Sequence, residues 1–484
     1  MENISSASSA LSGDVRQPHE LPPQQPTPSI TGLALELVVQ IMSELHDMSS
    51  LGSLILSHSS FYMAYTFASN RIVGCIIRRQ IPPDLLCYAI FVHLAQGYVF
   101  GCTTPKGVKR FFHDHDYDFF EDVRWKLFPD EGIVDIRMAG RLSLMHNHVD
   151  YFTKRFVEDA KPIAHRRLGL PLESTGPASK DEIFRIQRAL YRFQLQCELL
   201  RHQFTKPEWV DLRPSVAYGT FDPFAPWVNE QLACIHDFFT RVVSEGFDEV
   251  AAHDVEWGFE GVDWREGADL PRGWARGRYN ARKDSYLFGG LGFLRKLDQV
   301  KTYEERRIIL GRPPKPTAQM LGRTMQECGS TRAEWEDWEY IWDRFDIGPE
   351  NKKSSAESSG WWITNGPDGY GSSPFRIWRV AHEDCWTMDV AGYPDHAPLR
   401  RWGYVMWDLP STIFSTERLL KVVLCGRKHS LLDRFRDQDP ERKRAMKRSR
   451  RERAALYLKG ARGYWAEGDL SRLVWPDSGA QGGN

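Results

Sequence analysis

The sequence predicts a mainly α-helical fold: an N-terminal three-helix module followed by a non-repeat, mostly helical domain with long loops. Three observations carry this. Apolar residues near the front of the chain recur at helical spacing in short runs broken by capping residues. A longer stripe between residues 183 and 204 alternates steps of three and four. And no repeat of 20 to 50 residues appears along the 484 residues, so a propeller or solenoid is not expected.

In the first module, Leu37, Ile41 and Leu45 recur every fourth residue and share one helical face, with Leu33 and Leu35 leading into it. Asp47, Ser49 and Ser50 supply capping candidates for a second helix that holds Leu51, Leu54 and Ile55. Ser57, Ser59 and Ser60 then break the chain before a third apolar run, Phe61 to Phe67. Helices this short are marginal alone and must pack on one another or on a partner. Two further helices are expected over Asn70–Gln80 and Pro83–Ala95. Leu85 to Ala95 is strongly apolar but too short to cross a bilayer, which makes it a buried core helix.

Further along, Ser179 with Glu182 three residues later forms a capping box. It opens a helix whose stripe is Ile183, Ile186, Leu190, Phe193, Cys197, Leu200 and Phe204, with Arg185, Arg188, Arg192 and Arg201 mostly off it. Phe184, Tyr191, Leu195 and Leu199 widen the apolar surface beyond a coiled-coil seam, so a central core helix is expected. Val228, Leu232, Ile235, Phe239 and Val242 mark a second one. Glu256 to Gly292 is rich in Gly and Trp and reads as long loops; Ala333 to Phe345 is expected to be helical with Trp335, Trp338 and Trp342 on one face. The organisation that follows is a disordered leader (1–29), a helical module (30–100), a mostly helical domain (101–345, continued at 373–435), a flexible insertion (346–372), a basic arm (436–460) and a disordered tail (476–484).

The run Leu33, Glu36, Leu37, Ile41, Leu45 and Asp47 resembles the F-box motif, Leu-Pro-x-Glu-Leu-x-x-x-Ile-x-x-x-Leu followed by a second helix. Ala34 stands where the motif has proline, so the preset first turn that proline gives is absent. Ile186–Leu195, Glu230–Phe238 and Arg400–Asp408 look like a large group of fungal F-box-like proteins, which extends the resemblance over most of the chain. The resemblance implies a non-enzymatic protein-interaction role, as substrate receptor of a cullin-type ubiquitin ligase complex. Its partners would be the ligase's adaptor subunit and an unknown target protein. Leu33, Leu35, Leu37, Ile41, Leu45, Leu51 and Leu54 would form or support the docking face. It implies no catalytic residues and no cofactor.

Composition agrees with an intracellular interaction protein. Hydrophobic residues make up 42% and charged residues 26%, and net charge is -1, so global charge drives binding to neither nucleic acid nor membrane, and neither is an expected partner. The eight cysteines form no Cys-x-x-Cys pair, which points to a reducing compartment in cytoplasm or nucleus.

Four other constellations hold residue types that can carry chemistry. His113, His115, Asp118, His146, His148 and Asp150 are dense in metal-ligand types without completing a recognised spacing; the alternative function they would carry is a metal-dependent enzyme built on His113 and His115. Gly289-Gly-Leu-Gly292 lacks the strand and lysine of a phosphate loop and reads as a turn. His236, His253 and His382 have acidic neighbours, but sequence adjacency is not catalytic geometry. Arg442 to Arg453 holds eight Lys or Arg in twelve residues. It reads as a solvated basic arm, with nuclear import or nucleic-acid association as the functional alternatives.

Overall fold

The computed structural model describes residues 30–98, 135–170, 176–200, 221, 224–262, 281–313, 325, 368–369, 371–382, 396–409, 413 and 440–476. These residues are mainly helical, 76% in all, with almost no strand. A 3-10 turn, Ile30–Gly32, precedes α1 (Leu35–Ser43), α2 (Met48–Ser57), α3 (Ser59–Gln80) and α4 (Pro83–Tyr98). Then come α5 (Ile136–Leu168), α6 (Lys180–Leu200), α7 (Pro226–His253), α8 (Val255–Phe259), α9 (Ala281–Leu287), α10 (Gly290–Gln299) and α11 (Tyr303–Leu310). The series ends with α12 (Ser373–His382), α13 (Ala397–Arg400), α14 (Pro440–Leu458) and a two-stranded antiparallel hairpin, β1 (Arg462–Gly463) with β2 (Leu473–Val474).

The first four helices follow from local signals. Asp47 caps α2 by accepting the Ser50 N–H at 2.9 Å, and this bond holds its carboxyl below the usual range. The expected helices at 61–67 and 70–80 are one helix, α3, bent at Ala68, where φ -138 and ψ 36 leave the helical region. Helix α4 is buried nearly all round, with Leu85, Ala89, Ile90, Phe91 and Ala95 in the core, and no described helix is long and apolar enough to cross a membrane.

Arg79, at the end of α3, ties the end of α1 down. Its Nη1 donates to the carbonyls of Ser43 (2.9 Å) and Leu45 (3.1 Å), and Nη2 pairs with Glu44 at 2.7 Å. The Ser43 carbonyl belongs to the last turn of α1, which has no partners within the helix, and Leu45 follows the C-cap Glu44. Arg79→Ala is therefore expected to cost ~1–2 kcal/mol and to raise amide exchange in α1 first, measurable by hydrogen–deuterium exchange.

Helix α6 is the centre of the larger unit, packed by α4, α5, α7 and α10. The Ser179–Glu182 capping box is present in both directions, at 3.1 and 2.9 Å. Ile186, Leu190, Phe193 and Cys197 are fully buried as expected, and so are Arg185, Arg188 and Arg192. Asp368 explains two of them: its buried carboxylate accepts from Arg185, Arg188 and Gln231, and the Trp227 indole donates to its carbonyl at 2.9 Å. Arg192 instead donates to the Val228 carbonyl and Asn229 and lies 3.7 Å over the Phe224 ring. Helix α7 carries the expected face, with Val228, Leu232, Ile235 and Phe239 all buried.

Two elements differ from expectation. The 33-residue α5 covers His146 to Asp150, which the sequence marked only as residues of metal-ligand type. Its signal is the buried series Ala139, Leu142, Val149, Phe152, Phe156, Ala160 and Ala164, diluted by polar residues and by Pro162 within the helix. Asp135 caps it by accepting the Met138 N–H at 2.7 Å, and Gly169, at φ 63, ends it in the left-handed region. The stretch expected as loops, 256–292, contains α8, α9 and the start of α10; α8 and α9, of 5 and 7 residues, are too short to display a period. The leader 1–29, the Trp helix 333–345 and the tail 477–484 lie outside the described residues.

Candidate docking surface

Helix α1 is apolar on two sides. Val38, Val39 and Met42 point inward and are buried, and Ser43 closes this face with a hydrogen bond to the Val39 carbonyl. The other side is uncovered: Leu33 is 42% exposed, Leu37 49% and Ile41 38%. Leu37 and Ile41 are four residues apart and stand one turn above the other, so the uncovered side is a stripe. Leu35, Leu45 and Leu54 are half-buried against the core, and Leu51 is fully buried beneath α2. The seven leucines and isoleucines expected at this surface therefore divide into three that face solvent, three at its edge and one that supports it from within.

Sequence reasoning missed that the other two helices of the module also expose apolar side chains. Leu56 on α2 and Tyr62, Met63 and Phe67 on α3 are more than half exposed. Tyr62, Met63 and Phe67 belong to the same apolar run as buried Phe61, and the run by itself does not say which of its members face solvent. Apolar side chains in this number on one 50-residue module exceed the scattered singles of an ordinary surface.

The described histidines and the glycine segment singled out in the sequence make contacts within the fold. His146 bonds the Tyr191 hydroxyl at 2.9 Å, and Asp150 accepts from Gln187 at 2.7 Å. His148 lies 3.4 Å from Arg295, and burial lowers its affinity for a proton. Among the described residues no three His, Cys, Asp or Glu side chains gather to hold a metal ion; His113 and His115 lie outside those residues. The glycine segment is the turn into α10. Gly290 has φ 70, and the Leu291 N–H is taken by the Gln194 side chain at 2.7 Å, leaving no cradle for a phosphate. His253 bonds the Trp465 carbonyl and His382 the Trp378 carbonyl, each at 2.9 Å. Asp254 caps α8 and also accepts from Tyr303 and Arg307, both at 2.7 Å.

A cleft of about 420 Å³ between α5 and α7 is lined by Arg155, Asp159, Arg241, Glu245, Asp248 and Arg401, among others. Asp159 accepts from both Arg241 and Arg401 (3.0 and 3.1 Å), and Asp248 pairs with Lys283 at 2.6 Å. These ion pairs tie α5, α7 and neighbouring segments together across the cleft.

Comparisons with family models, curated proteins and solved structures find no match.

Proposed function

We propose that this chain is a non-enzymatic protein-interaction protein that docks on a partner subunit through the outer side of α1. The F-box-like pattern names the partner: the adaptor of a cullin-type ubiquitin ligase, with the helical unit around α6 holding a target. The observation that supports this reading is the two-sided α1. Its Val38, Val39 and Met42 side is used to fold the module, while Leu33, Leu37 and Ile41 remain uncovered. An apolar stripe that the chain itself does not cover is what an isologous or heterologous partner needs. Each of the three residues has roughly half its surface left to bury, so each contributes on the order of 1 kcal/mol to docking.

The geometry separates docking from folding, and the test uses this. Leu37→Arg with Ile41→Arg changes only outward side chains, so helicity and melting temperature should hold while capture of the adaptor by the full-length chain falls by at least about a hundredfold. Val38→Ala, on the inward side, should lower stability by ~1–2 kcal/mol and spare capture by the protein that stays folded. A wild-type chain that fails to capture the adaptor overturns the proposal.

A further inference from the structure

The basic run is not a loose arm. Over 440–458 it is helix α14, seated on α8, and its inward residues are Met446, Ser449 and Arg453, all buried. Arg453 donates from Nη1 to the Asp254 carbonyl at 2.9 Å and lies so close to Gly258 that any Cβ there would sit 2.5 Å from its own Cβ. The seat is closed by a small second core of Val255, Ala461, Trp465 and Leu473, with Leu456 and Tyr457 of α14 packed against it.

Anchoring the helix this way sorts its cations. At 100° per residue, Arg444, Lys447, Arg448 and Arg451 fall within about 100° of one another, opposite the buried residues. All four are exposed. Arg448 meets Glu467 at 3.1 Å, a pair more than half exposed on both sides, whereas Arg444, Lys447 and Arg451 have no acidic partner among the described residues. Glu441 and Glu452, both exposed, flank the row on the same helix. A net charge of -1 for the whole chain conceals this row, because charge summed over a sequence carries no direction.

We infer that the exposed face of α14 binds the phosphate backbone of duplex nucleic acid, without reading its sequence. The row from Arg444 to Arg451 runs about 10 Å along a helix held straight by its seat. A duplex presents one negative charge per ~1.7 Å of axis, so several phosphates pass within reach of a row of this length. The outward side chains of the row itself are Arg and Lys, which meet phosphate oxygens by charge, and phosphate contacts position a protein on a duplex without carrying sequence information. An anionic bilayer fits less well. A helix lying in a membrane surface sinks an apolar face into the lipid, and the inward face of α14 already packs against α8 and the second core. A partner that reads the run as an extended strand would have to peel α14 off α8 and expose Met446 and Arg453. This inference is independent of the α1 surface.

Fluorescence anisotropy of a labelled 20-base-pair duplex, titrated with the full chain between about 50 and 200 mM salt, tests it. The logarithm of the association constant should fall with the logarithm of salt with a slope of at least ~3 in magnitude. In Arg444→Gln, Lys447→Gln, Arg451→Gln, the slope should shrink by about 3, at about 0.9 per lost phosphate contact, with the melting temperature unchanged. Capture of the ligase adaptor by this variant should equal wild type, which keeps the two proposals distinguishable. No binding at 50 mM salt, an unchanged slope in the triple variant, or equally tight binding to polyglutamate or to phosphatidylserine vesicles would each overturn the inference.

Discussion

Replacing Asp368 by alanine is expected to destabilise the protein by on the order of 3–5 kcal/mol, the largest effect of any single side chain described above. The carboxylate is wholly buried, at 3.1 Å from Arg185, in direct contact with Arg188, and 3.0 Å from the Gln231 amide. Its removal leaves two guanidinium groups on α6 inside the protein, one turn apart, with their main counter-charge gone. Arg185 keeps Asp408 at 2.7 Å and the Met406 carbonyl at 3.1 Å; Arg188 keeps Gln231 at 2.7 Å. Removing one partner of a buried pair is costly because the charge left behind has neither water nor an ion to face, which differs from the smaller net worth of the intact pair. Urea denaturation measures the loss, and Glu467→Ala gives the contrast. That residue's pair with Arg448 is exposed on both sides, so its removal should shift stability by no more than ~0.5 kcal/mol. Equal effects from the two substitutions would show that water reaches the Asp368 site.

The second large effect is a dependence on pH. Asp284 on α9 is fully buried, and neither carboxylate oxygen has a hydrogen-bond partner. Burial pushes its carboxyl up to about 7, opposed by the charges of His236 on α7 and of neighbouring Lys283, which itself pairs with Asp248. In the unfolded chain the group ionises near 3.8. The folded state therefore binds the proton more tightly than the unfolded state. The stability this confers is fully present below about pH 4 and is lost as pH rises toward 7, by on the order of 4 kcal/mol. Asp284→Asn removes the ionisation while keeping the shape. The variant should match wild type near pH 4 and exceed it increasingly up to pH 7–8, read by chemical denaturation across that range. A difference between the two proteins that does not change with pH would show that Asp284 is solvated in the folded state.

How much of this was legible in the sequence depends on where each signal resides. Asp47 at the start of α2, the Ser179–Glu182 box, and the apolar faces of α6 and α7 were readable, because caps and helical periods are local and act within one or two turns. Helix α5 was not, although it is the longest among the described residues. Its polar residues His146, Gln80's partner Asn147 and Asp150 are satisfied by other helices, so they hide the period without breaking the helix. Helices α8 and α9 were hidden by their length, and the hairpin 462–474 by having two residues per strand.

The sequence alone determined the helical class, the three-helix start of the chain and the identity of the aliphatic residues from Leu33 to Leu54, since spacing along a helix decides which side chains share a face. It could not decide which of the two apolar faces of α1 turns inward, because Leu37 and Ile41 are as hydrophobic as Val38 and Met42. Only packing against α3, with Arg79 holding the end of α1, settles that the first pair stays in water. The same holds for charge. Arginines on α6 and α14 are identical in sequence terms, yet those on α6 are buried around Asp368 or against Phe224, while Arg444, Arg448 and Arg451 of α14 face solvent as a row and Arg453 of the same helix is buried. The surroundings that make the difference come from residues up to 180 or more positions away in the chain.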